Sequence, residues 1–254
     1  MGNLLSCNLC SYRGHTERAY AHLPTIGVKH VEIGAPAPEA AVKVLGELRA
    51  RGLQPATIQA FSDIGSESFV NDLGIACGVA AKLGVRVVFT SVHAGEVPVE
   101  DVYARMREAG DVAGEHGVLI AMETHPDLMT NGGIARQTIE AIGHPHVRMN
   151  FDTANIYYYN EGTTTEAELA KVAPYVASVH LKDSAGLYKT WNFPTIGRGV
   201  VRFAEVVRIL GAEGFTGPYT MELEGIEGQS LNADEAAADV AASVEHLRSV
   251  AEFE

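Results

Sequence analysis

The feature that most constrains the fold is one unit that the sequence repeats eight times. In each unit a short apolar run is followed by a polar loop and then by apolar residues at helical spacing. A glycine stands just before most of these runs, where a helix commonly ends in a left-handed backbone conformation. These glycines are Gly27, Gly52, Gly84, Gly117, Gly143 and Gly214. The pattern predicts strands at residues 4–9, 28–33, 55–61, 85–92, 118–124, 147–152, 176–182 and 218–223.

The order of these elements predicts a closed barrel in the α/β class. Strands separated by helices must be parallel, because each crossover returns the chain to the same end of the sheet. Eight units in 254 residues are typical of a (β/α)8 TIM barrel. A dinucleotide-binding sheet is disfavoured, because no G-x-G-x-x-G pattern follows the first run. Since no linker or low-complexity segment interrupts the chain, we predict a single domain over residues 1–254.

Charge and cysteine content bear on the partners and on the compartment. A formal net charge of −13 repels phosphate backbones and anionic lipids, so we expect neither nucleic-acid nor membrane binding. Three cysteines are too few for a disulfide framework and are typical of a reducing cytoplasm. Cys7 and Cys10 form a C-x-x-C pair, which we interpret as buried thiols of the first strand rather than as a redox or zinc motif. The opening MGNLLS matches the myristoylation pattern in form but lacks suitable surroundings, and we predict a cytoplasmic protein.

Ligand-type residues end each of the last four predicted strands. The carboxyl ends of parallel barrel strands meet on one face, where barrel enzymes carry their chemistry. A charge among apolar neighbours is costly when unpaired, and one cation would stabilise several carboxylates together. The alternative is a buried salt-bridge network, for which this region offers Lys182 and Arg198. The four residues are Glu123 in VLIAMET, Asp152 in VRMNFDT, His180 in VASVHLKD and Glu222 in PYTMELE.

Three carboxylates and one imidazole favour a single divalent metal ion. The set suits Mn²⁺, with Mg²⁺ or Co²⁺ as alternatives, better than a structural zinc, which prefers thiolates. Such an ion polarises the carbonyl of a hydroxy-ketone and stabilises the enediolate that forms when the adjacent C–H loses its proton. Glu123 and Glu222 stand on the fifth and eighth strands, so one could remove the proton and the other return it.

Side-chain alternation adds candidates near the same strand ends, because residues two apart face the same side of a strand. His125 follows Glu123 by two positions and is predicted to be a second acid/base or a hydrogen-bond donor; the alternative is a histidine that anchors its loop. The weaker candidates on this rule are Lys182, Glu224 and Asn150.

Two long loops follow the sixth and seventh strands, at residues 153–164 and 183–200. Long loops above a catalytic face often act as lids, and the alternative is a loop packed shut for stability. His93, at the end of the fourth strand, either lines the pocket or is structural. Arg198 either binds a substrate anion or is solvated. Trp191 lies in the second loop and is a candidate for substrate binding.

Five motifs resemble the xylose isomerase-like TIM-barrel superfamily of sugar phosphate isomerases and epimerases, and the resemblance covers nearly the whole chain. The motifs are METHPD, NFDTAN, HLKD, WNFPTIGRGVV and GPYTMELEG. The resemblance implies that the four residues above bind a divalent ion and that the two glutamates form the acid/base pair. The metal set is similar to that of ketose 3-epimerases. Where those enzymes usually carry a histidine, an arginine and a second glutamate, this chain has Asn155, Gly186 and Met129. Asn155 is a candidate for substrate binding at its position.

We therefore predict a metal-dependent isomerase or epimerase that deprotonates a keto-sugar or keto-cyclitol next to its carbonyl. The same resemblance covers lyases, namely inosose dehydratases and deglycosidases that cleave 3-keto-C-glycosides; elimination needs a further acid, and His125 or Lys182 could serve. Rival hypotheses are a non-catalytic sugar-binding barrel and a DNA-repair nuclease. Related barrels often pair, so a homo-oligomer or a second subunit is possible.

Overall fold

The fold is a closed barrel of eight parallel strands, in a computed structural model that describes residues 3–254. Met1 and Gly2 of the myristoylation pattern lie outside the described residues. Every barrel strand overlaps a predicted one, which confirms the (β/α)8 TIM barrel. The barrel strands are β1 (Leu5–Asn8), β2 (His30–Gly34), β3 (Gln54–Gln59), β4 (Val87–Thr90), β5 (Leu119–Glu123), β6 (Val147–Asp152), β7 (Val176–Leu181) and β9 (Tyr219–Met221).

Helices follow the strands and cover the outside of the barrel. Their apolar stripes are buried against the sheet, as Leu73 and Cys77 of the third helix are. The six glycines predicted to end the connections before a strand all have φ between 65° and 76°, which confirms that role. The helices are α1 (Thr16–His22), α2 (Ala41–Ala50), α3 (Phe69–Leu83), α4 (Val99–Glu115), α5 (Gly132–Ile142), α6 (Asn155–Tyr159), α7 (Thr165–Val172), α8 (Phe203–Ala212) and α9 (Ala233–Val250). Short 3-10 turns lie at Leu9–Tyr12, Leu23–Ile26 and Ala173–Tyr175.

The interior of the barrel changes from apolar to polar along the strand direction. A small buried cluster of Val87, Phe89, Ala121 and Ala177 fills part of the interior. The Phe89 ring packs edge-on against the ring of His180, with 4.7 Å between the centroids. The apolar cluster therefore supports the polar residues at the carboxyl ends of the strands from below.

The loop after β7 is fixed by one buried carboxylate. Asp183 Oδ2 accepts hydrogen bonds from the backbone N–H groups of Gly197 and Gly199, both at 2.8 Å, and Oδ1 accepts from that of Val201 at 3.1 Å. A side chain at Gly199 would collide with this carboxylate, so the close approach requires glycine. Farther along, β8 (Asn192–Phe193) pairs with β10 (Gly225–Ile226) and ties the loop to the one after β9.

The C-x-x-C pair is only partly as expected. Cys7 is buried in β1, and burial raises the pKa of its thiol to about 12. Cys10 is exposed and lies outside the strand, which corrects the prediction that both thiols are buried in it. The reason is Asn8, whose side chain accepts a hydrogen bond from Cys10 N–H and starts a 3-10 turn. Among residues 3–254, no helix has the combination of length and apolar character that crossing a membrane requires.

Candidate metal centre

The four ligand-type residues predicted from the sequence converge at the carboxyl end of the barrel. One donor atom from each of Glu123, Asp152, His180 and Glu222 lies within 4.8 Å of the donor atoms of the others, and all four residues are buried. Strand register brings them together, since Asp152 pairs with His180 across β6 and β7. We call these four residues the donor cluster.

His180 is the centre of the donor cluster. Its Nδ1 lies 2.8 Å from Glu123 Oε1 and 3.3 Å from Glu222 Oε2. Its Nε2 points the other way and lies 3.1 Å from Glu32 Oε1. The imidazole therefore has carboxylates at both nitrogens, an arrangement that fixes the ring orientation of a histidine that binds metal.

Glu32 is a buried residue that the sequence interpretation missed. It lies within β2, and its carboxylate accepts hydrogen bonds from Thr57 Oγ1 at 2.5 Å and Asn8 Nδ2 at 2.8 Å. Glu32 is the third residue of that strand rather than its last, so a search for strand-ending ligands passes over it. The sequence did contain a signal that could have identified Glu32, because a charged residue inside the apolar run HVEIG is unusual.

Lys182 belongs to the same buried group. Its Nζ lies 2.7 Å from Asp152 Oδ2, 3.0 Å from Glu222 Oε2 and 2.7 Å from Glu224 Oε2. The salt-bridge network, which was the alternative to a metal site, is thus present around the donor cluster. Arg198, its other predicted member, is exposed on the loop after β7.

Neighbouring charges shift the pKa values of the three carboxyl groups. Burial raises the pKa of Asp152 to about 6, although the nearby Lys182 ammonium acts in the opposite direction. Burial also disfavours the charged form of Glu222, but His180 and Lys182 outweigh it and lower its pKa to about 2. For Glu123 the effect of burial is outweighed by the adjacent His125 and His180, which hold its pKa well below the usual range.

The two basic groups respond in the complementary way. Burial alone would lower the pKa of His180, yet the charges of Glu222 and Glu32 raise it well above the usual range. The pKa of Lys182 is likewise raised despite burial, first by Asp152 and then by Glu222. An imidazolium and an ammonium thus offset part of the negative charge of the donor cluster.

The donor cluster fits a divalent cation. Asp152 Oδ2 is buried and has no well-aligned hydrogen bond, although the Lys182 ammonium is close to it. Oxygen-rich donors with one imidazole suit hard or borderline cations. A cation could therefore replace the positive charges that now stabilise the carboxylates.

Both glutamates of the donor cluster line a cavity of about 200 Å³ that opens at the mouth of the barrel. Five other predicted residues line it too: His125, Asn155, Lys182, Trp191 and Glu224. His125 Nδ1 lies 3.1 Å from Glu123 Oε2, and Asn155 Nδ2 donates to the carbonyl of Thr124 at 3.0 Å. The cavity thus brings the predicted acid/base pair together with most of the predicted substrate contacts.

Two predicted substrate contacts lie off the cavity wall. His93 is exposed, bonds through Nδ1 to the carbonyl of Pro126, and packs edge-on against His125 with 5.6 Å between centroids. Arg198 lines a separate groove together with Glu235 and Asp239. Contact of His93 or Arg198 with a substrate stays a prediction.

The cavity also has lining residues that the sequence interpretation did not select. Ser91 Oγ donates to Glu123 Oε2 at 2.6 Å and so orients that carboxylate. The others are Gln59, Phe61, Tyr158, Tyr159 and Phe193, which come from the end of β3 and the residue pair after it, from α6 and from β8.

A larger groove of about 1000 Å³ runs along the outer surface of α3. Val70, Ile75 and Val112 are among its lining residues. Among residues 3–254, the donor cluster is the group of side chains placed to hold a metal ion, and it lies at the barrel mouth instead. The smaller cavity is therefore the candidate functional site.

A family model described as the xylose isomerase-like TIM barrel matches residues 21–250. The chain belongs to this family. This match confirms the resemblance that was inferred from the motifs. In this chain the donor cluster lies at the carboxyl ends of the barrel strands. No curated protein sequence matches the chain.

Solved structures share the fold at low sequence identity. D-psicose 3-epimerase with D-tagatose, from Clostridium cellulolyticum H10, is 14% identical with a TM-score of 0.76, over 98% of this chain and 99% of that one. The IolI protein with a bound zinc atom is 16% identical with a TM-score of 0.77, over 97% and 99%. The probable 3-DHS dehydratase AsbF from Bacillus anthracis is 14% identical with a TM-score of 0.73, over 96% and 98%. At these identities the three solved structures establish the fold of this chain, and they do not identify its substrate.

Proposed function

We propose that this protein is a divalent-metal-dependent sugar isomerase or epimerase that acts on a keto-sugar or keto-cyclitol. The observation that carries the proposal is the position of Glu123 and Glu222. Both belong to the buried donor cluster, and both line the same cavity. One structure with the same fold is a D-psicose 3-epimerase, which agrees with the proposed reaction.

The donor cluster would hold the ion, with Mn²⁺ preferred and Mg²⁺ or Co²⁺ as alternatives, because three of its four ligands are carboxylates. When bound, the ion would stabilise negative charge on the substrate oxygen while the neighbouring carbon loses its proton. His180 would bind through Nδ1, since Nε2 is committed to Glu32. Glu32 would thereby fix the orientation of the imidazole.

Glu222 and Glu123 would transfer the proton. Glu222 would be ionised, because positive charge beside it favours the carboxylate, and a carboxylate oxygen could then accept the proton from carbon. Glu123 reaches the cavity from β5, and Ser91 and His125 both contact its Oε2. Glu123 would return a proton to the carbon, with His125 as the second acid/base.

Other cavity residues would orient the substrate. Lys182 and Asn155 carry donors at the cavity wall and suit the hydroxyl oxygens of a polyol. Trp191 stands at the same wall and suits an apolar face of the ligand.

A dehydratase or β-eliminating lyase is the second candidate, of the inosose dehydratase or 3-keto-C-glycoside deglycosidase type. The observation that favours it is the presence of Lys182 and His125 beside the two glutamates in one cavity. Elimination begins with the same loss of a proton and needs a further acid to protonate the leaving group. Either side chain could supply that proton.

Exchange in D₂O separates the candidates. The protein with Mn²⁺ is incubated in D₂O with 3-keto-glucose, with an inosose and with ketohexoses. We expect deuterium at the carbon next to the carbonyl in a recovered isomer, whereas loss of water or of an aglycone would support the lyase. Tight sugar binding with neither exchange nor elimination would contradict the enzymatic proposal and support a sugar-binding barrel.

A pair of variants assigns the chemistry to the cavity. Glu222→Gln should lower the exchange rate by roughly 100-fold or more, because it removes the general base and one carboxylate ligand of the ion together. Glu108→Gln, at an exposed position of α4, is the matched control and should exchange at the rate of the unaltered protein.

The proposal also covers the domain organisation, the compartment, the ligand class and the oligomeric state. Residues 1–254 form one domain, the protein is cytoplasmic, and its ligand is a small sugar or cyclitol rather than nucleic acid or membrane. A homo-oligomer or a second subunit is compatible with it. Sedimentation of the purified protein measures its oligomeric state directly.

A further inference from the structure

A belt of aromatic side chains surrounds the mouth of the cavity that contains Glu123 and Glu222. The belt is drawn from segments that follow three different barrel strands, β3, β6 and β7. We call it the aromatic belt; its members are Phe61, Tyr158, Tyr159, Trp191 and Phe193.

Four of the five rings of the aromatic belt, all except that of Phe61, form a chain of contacts. The Tyr158 centroid lies 6.0 Å from those of both Trp191 and Phe193, and 5.0 Å from that of Tyr159. Trp191 and Phe193 lie 5.1 Å apart in an edge-to-face arrangement. The backbone N–H of Glu227 donates to the carbonyl of Trp191 at 2.9 Å, which holds this part of the belt in place. These four rings of the belt therefore support one another without a ligand.

Two members of the belt are exposed to solvent. Phe61 is 73% exposed and Trp191 is 41% exposed. Leu187 and Tyr188, on the same loop as Trp191, are 54% and 40% exposed. Large apolar side chains left exposed around a concave site mark a surface that a ligand covers.

The cavity is divided into a charged part and an aromatic part. Glu123, Glu222, Glu224 and Lys182 form the charged part, which suits the oxygens of a keto-polyol. The two parts meet where Lys182 Nζ lies 5.0 Å from the centroid of the Phe193 ring. A free polyol carries hydroxyl groups along its whole length, so it would satisfy the charged part and cover the exposed rings of the belt only in part.

We propose that the aromatic belt binds an aryl group attached to the keto-sugar or keto-cyclitol, so that the substrate class is an aryl-substituted polyol such as an aryl glycoside. The polar half of this ligand rests on the proposed function. The aryl half rests on the belt, because a flat apolar ring buries the exposed faces of Phe61 and Trp191 and makes edge-to-face contacts with them.

Calorimetry with a matched ligand pair tests the proposal. Phenyl β-D-glucopyranoside and methyl β-D-glucopyranoside differ in the group that the belt would contact. The full chain with Mn²⁺ should bind the phenyl glycoside about tenfold tighter than the methyl glycoside, a ratio within the range of a few aromatic contacts. The phenyl ligand should also perturb the fluorescence of Trp191, the one tryptophan of the sequence, more strongly than the methyl ligand does.

Variants assign the preference to the belt. Phe61→Ala and Trp191→Ala should each lower the phenyl-to-methyl ratio several-fold while leaving Mn²⁺ affinity unchanged. Val42→Ala is the matched control, since Val42 is 74% exposed on α2, away from the cavity, and it should keep the ratio. Far-ultraviolet circular dichroism confirms that each variant is folded.

Equal affinities for the two glycosides would overturn the proposal, as would a preference that survives both belt substitutions. Self-association of the chain that Phe61→Ala abolishes would also overturn it, because a second copy would then cover the belt. The assay measures binding without turnover, so a failed aryl preference is distinct from a failed deuterium exchange, which would contradict the proposed function instead.

Discussion

The two halves of the barrel rim differ in charge and in role. Strands β5, β6, β7 and the segment after β9 supply the donor cluster, and Lys182 follows β7. Strands β1 and β2 and the segment after β4 supply Asn8, Glu32 and Ser91, which hydrogen-bond to that cluster. One half thus provides the groups that would bind a metal ion, and the other half orients them. Glu32, which does not line the cavity, is therefore placed to affect metal binding indirectly through His180.

Glu123 and Glu32 illustrate the difference between the metal-binding half and the orienting half of the rim. Glu123 and Glu32 are both buried, and each contacts one nitrogen of the same imidazole, His180. Glu123 lines the cavity, whereas Glu32 does not. The same residue type is therefore expected to have a large effect on chemistry in one half of the rim and a smaller, indirect effect in the other.

The largest expected effect is on the stability of the metal-free protein. Lys182→Met removes the ammonium that neutralises Asp152 and Glu222, and it should lower the free energy of unfolding by about 3–5 kcal/mol, because it leaves buried carboxylates without a partner. Urea denaturation without metal measures the change. Added Mn²⁺ should restore much of the loss, since the ion supplies the missing charge.

Lys43→Met is the matched control for this prediction, because Lys43 is exposed on α2 and should change stability little. A Lys182→Met protein as stable as its parent in the absence of metal would show that the ammonium does not hold the carboxylates together.

The next effect is on metal affinity in the charged half of the rim. Asp152→Asn should weaken Mn²⁺ binding by more than roughly 100-fold, because a direct ligand exceeds the effect of a residue that only orients one. Isothermal titration measures the affinity, with Asp101→Asn on the surface of α4 as the control. A loss below tenfold would remove Asp152 from the ligand set.

Glu32→Gln probes the orienting half and should weaken Mn²⁺ binding by roughly 10-fold, within the range typical of residues that orient a metal ligand. Glutamine keeps the size of the side chain but removes the negative charge that faces His180 Nε2. Exposed Glu47→Gln is the control. If Glu32→Gln were as damaging as Asp152→Asn, the two halves of the rim would not have separate roles.

The smallest effect concerns the loop that carries Trp191. Asp183→Asn leaves one carbonyl oxygen where two carboxylate oxygens accept backbone hydrogen bonds, and it should cost about 1–2 kcal/mol. Amide hydrogen exchange should become faster at Gly197 and Gly199, because their N–H groups bond to Oδ2. Unchanged exchange there would mean that the β8–β10 pairing alone holds the loop.

The same division of the rim explains what could be predicted from the sequence. The donor cluster was accessible because each member stands at or next to a strand end, which is a local property of the chain. Glu32 was not, because its role depends on His180, which is 148 residues away in sequence. Its position inside β2 gives no hint of that partner.

Loop geometry also escaped the sequence interpretation. Trp191 and Arg198 stand seven positions apart in one loop, yet Trp191 lines the cavity and Arg198 does not. The path between them is set by Asp183 and by pairing with the segment after β9, which are contacts across the fold. The aromatic belt likewise exists only once three separate segments meet.

Anomalous diffraction from a crystal soaked in Mn²⁺, with data collected at the manganese absorption edge, tests the account most directly. We expect one strong peak within bonding distance of Glu123, Asp152, His180 and Glu222, with the Lys182 ammonium displaced from Asp152. A crystal at full Mn²⁺ saturation that shows no peak among these four side chains, or whose only peak lies elsewhere on the surface, would contradict the metal centre.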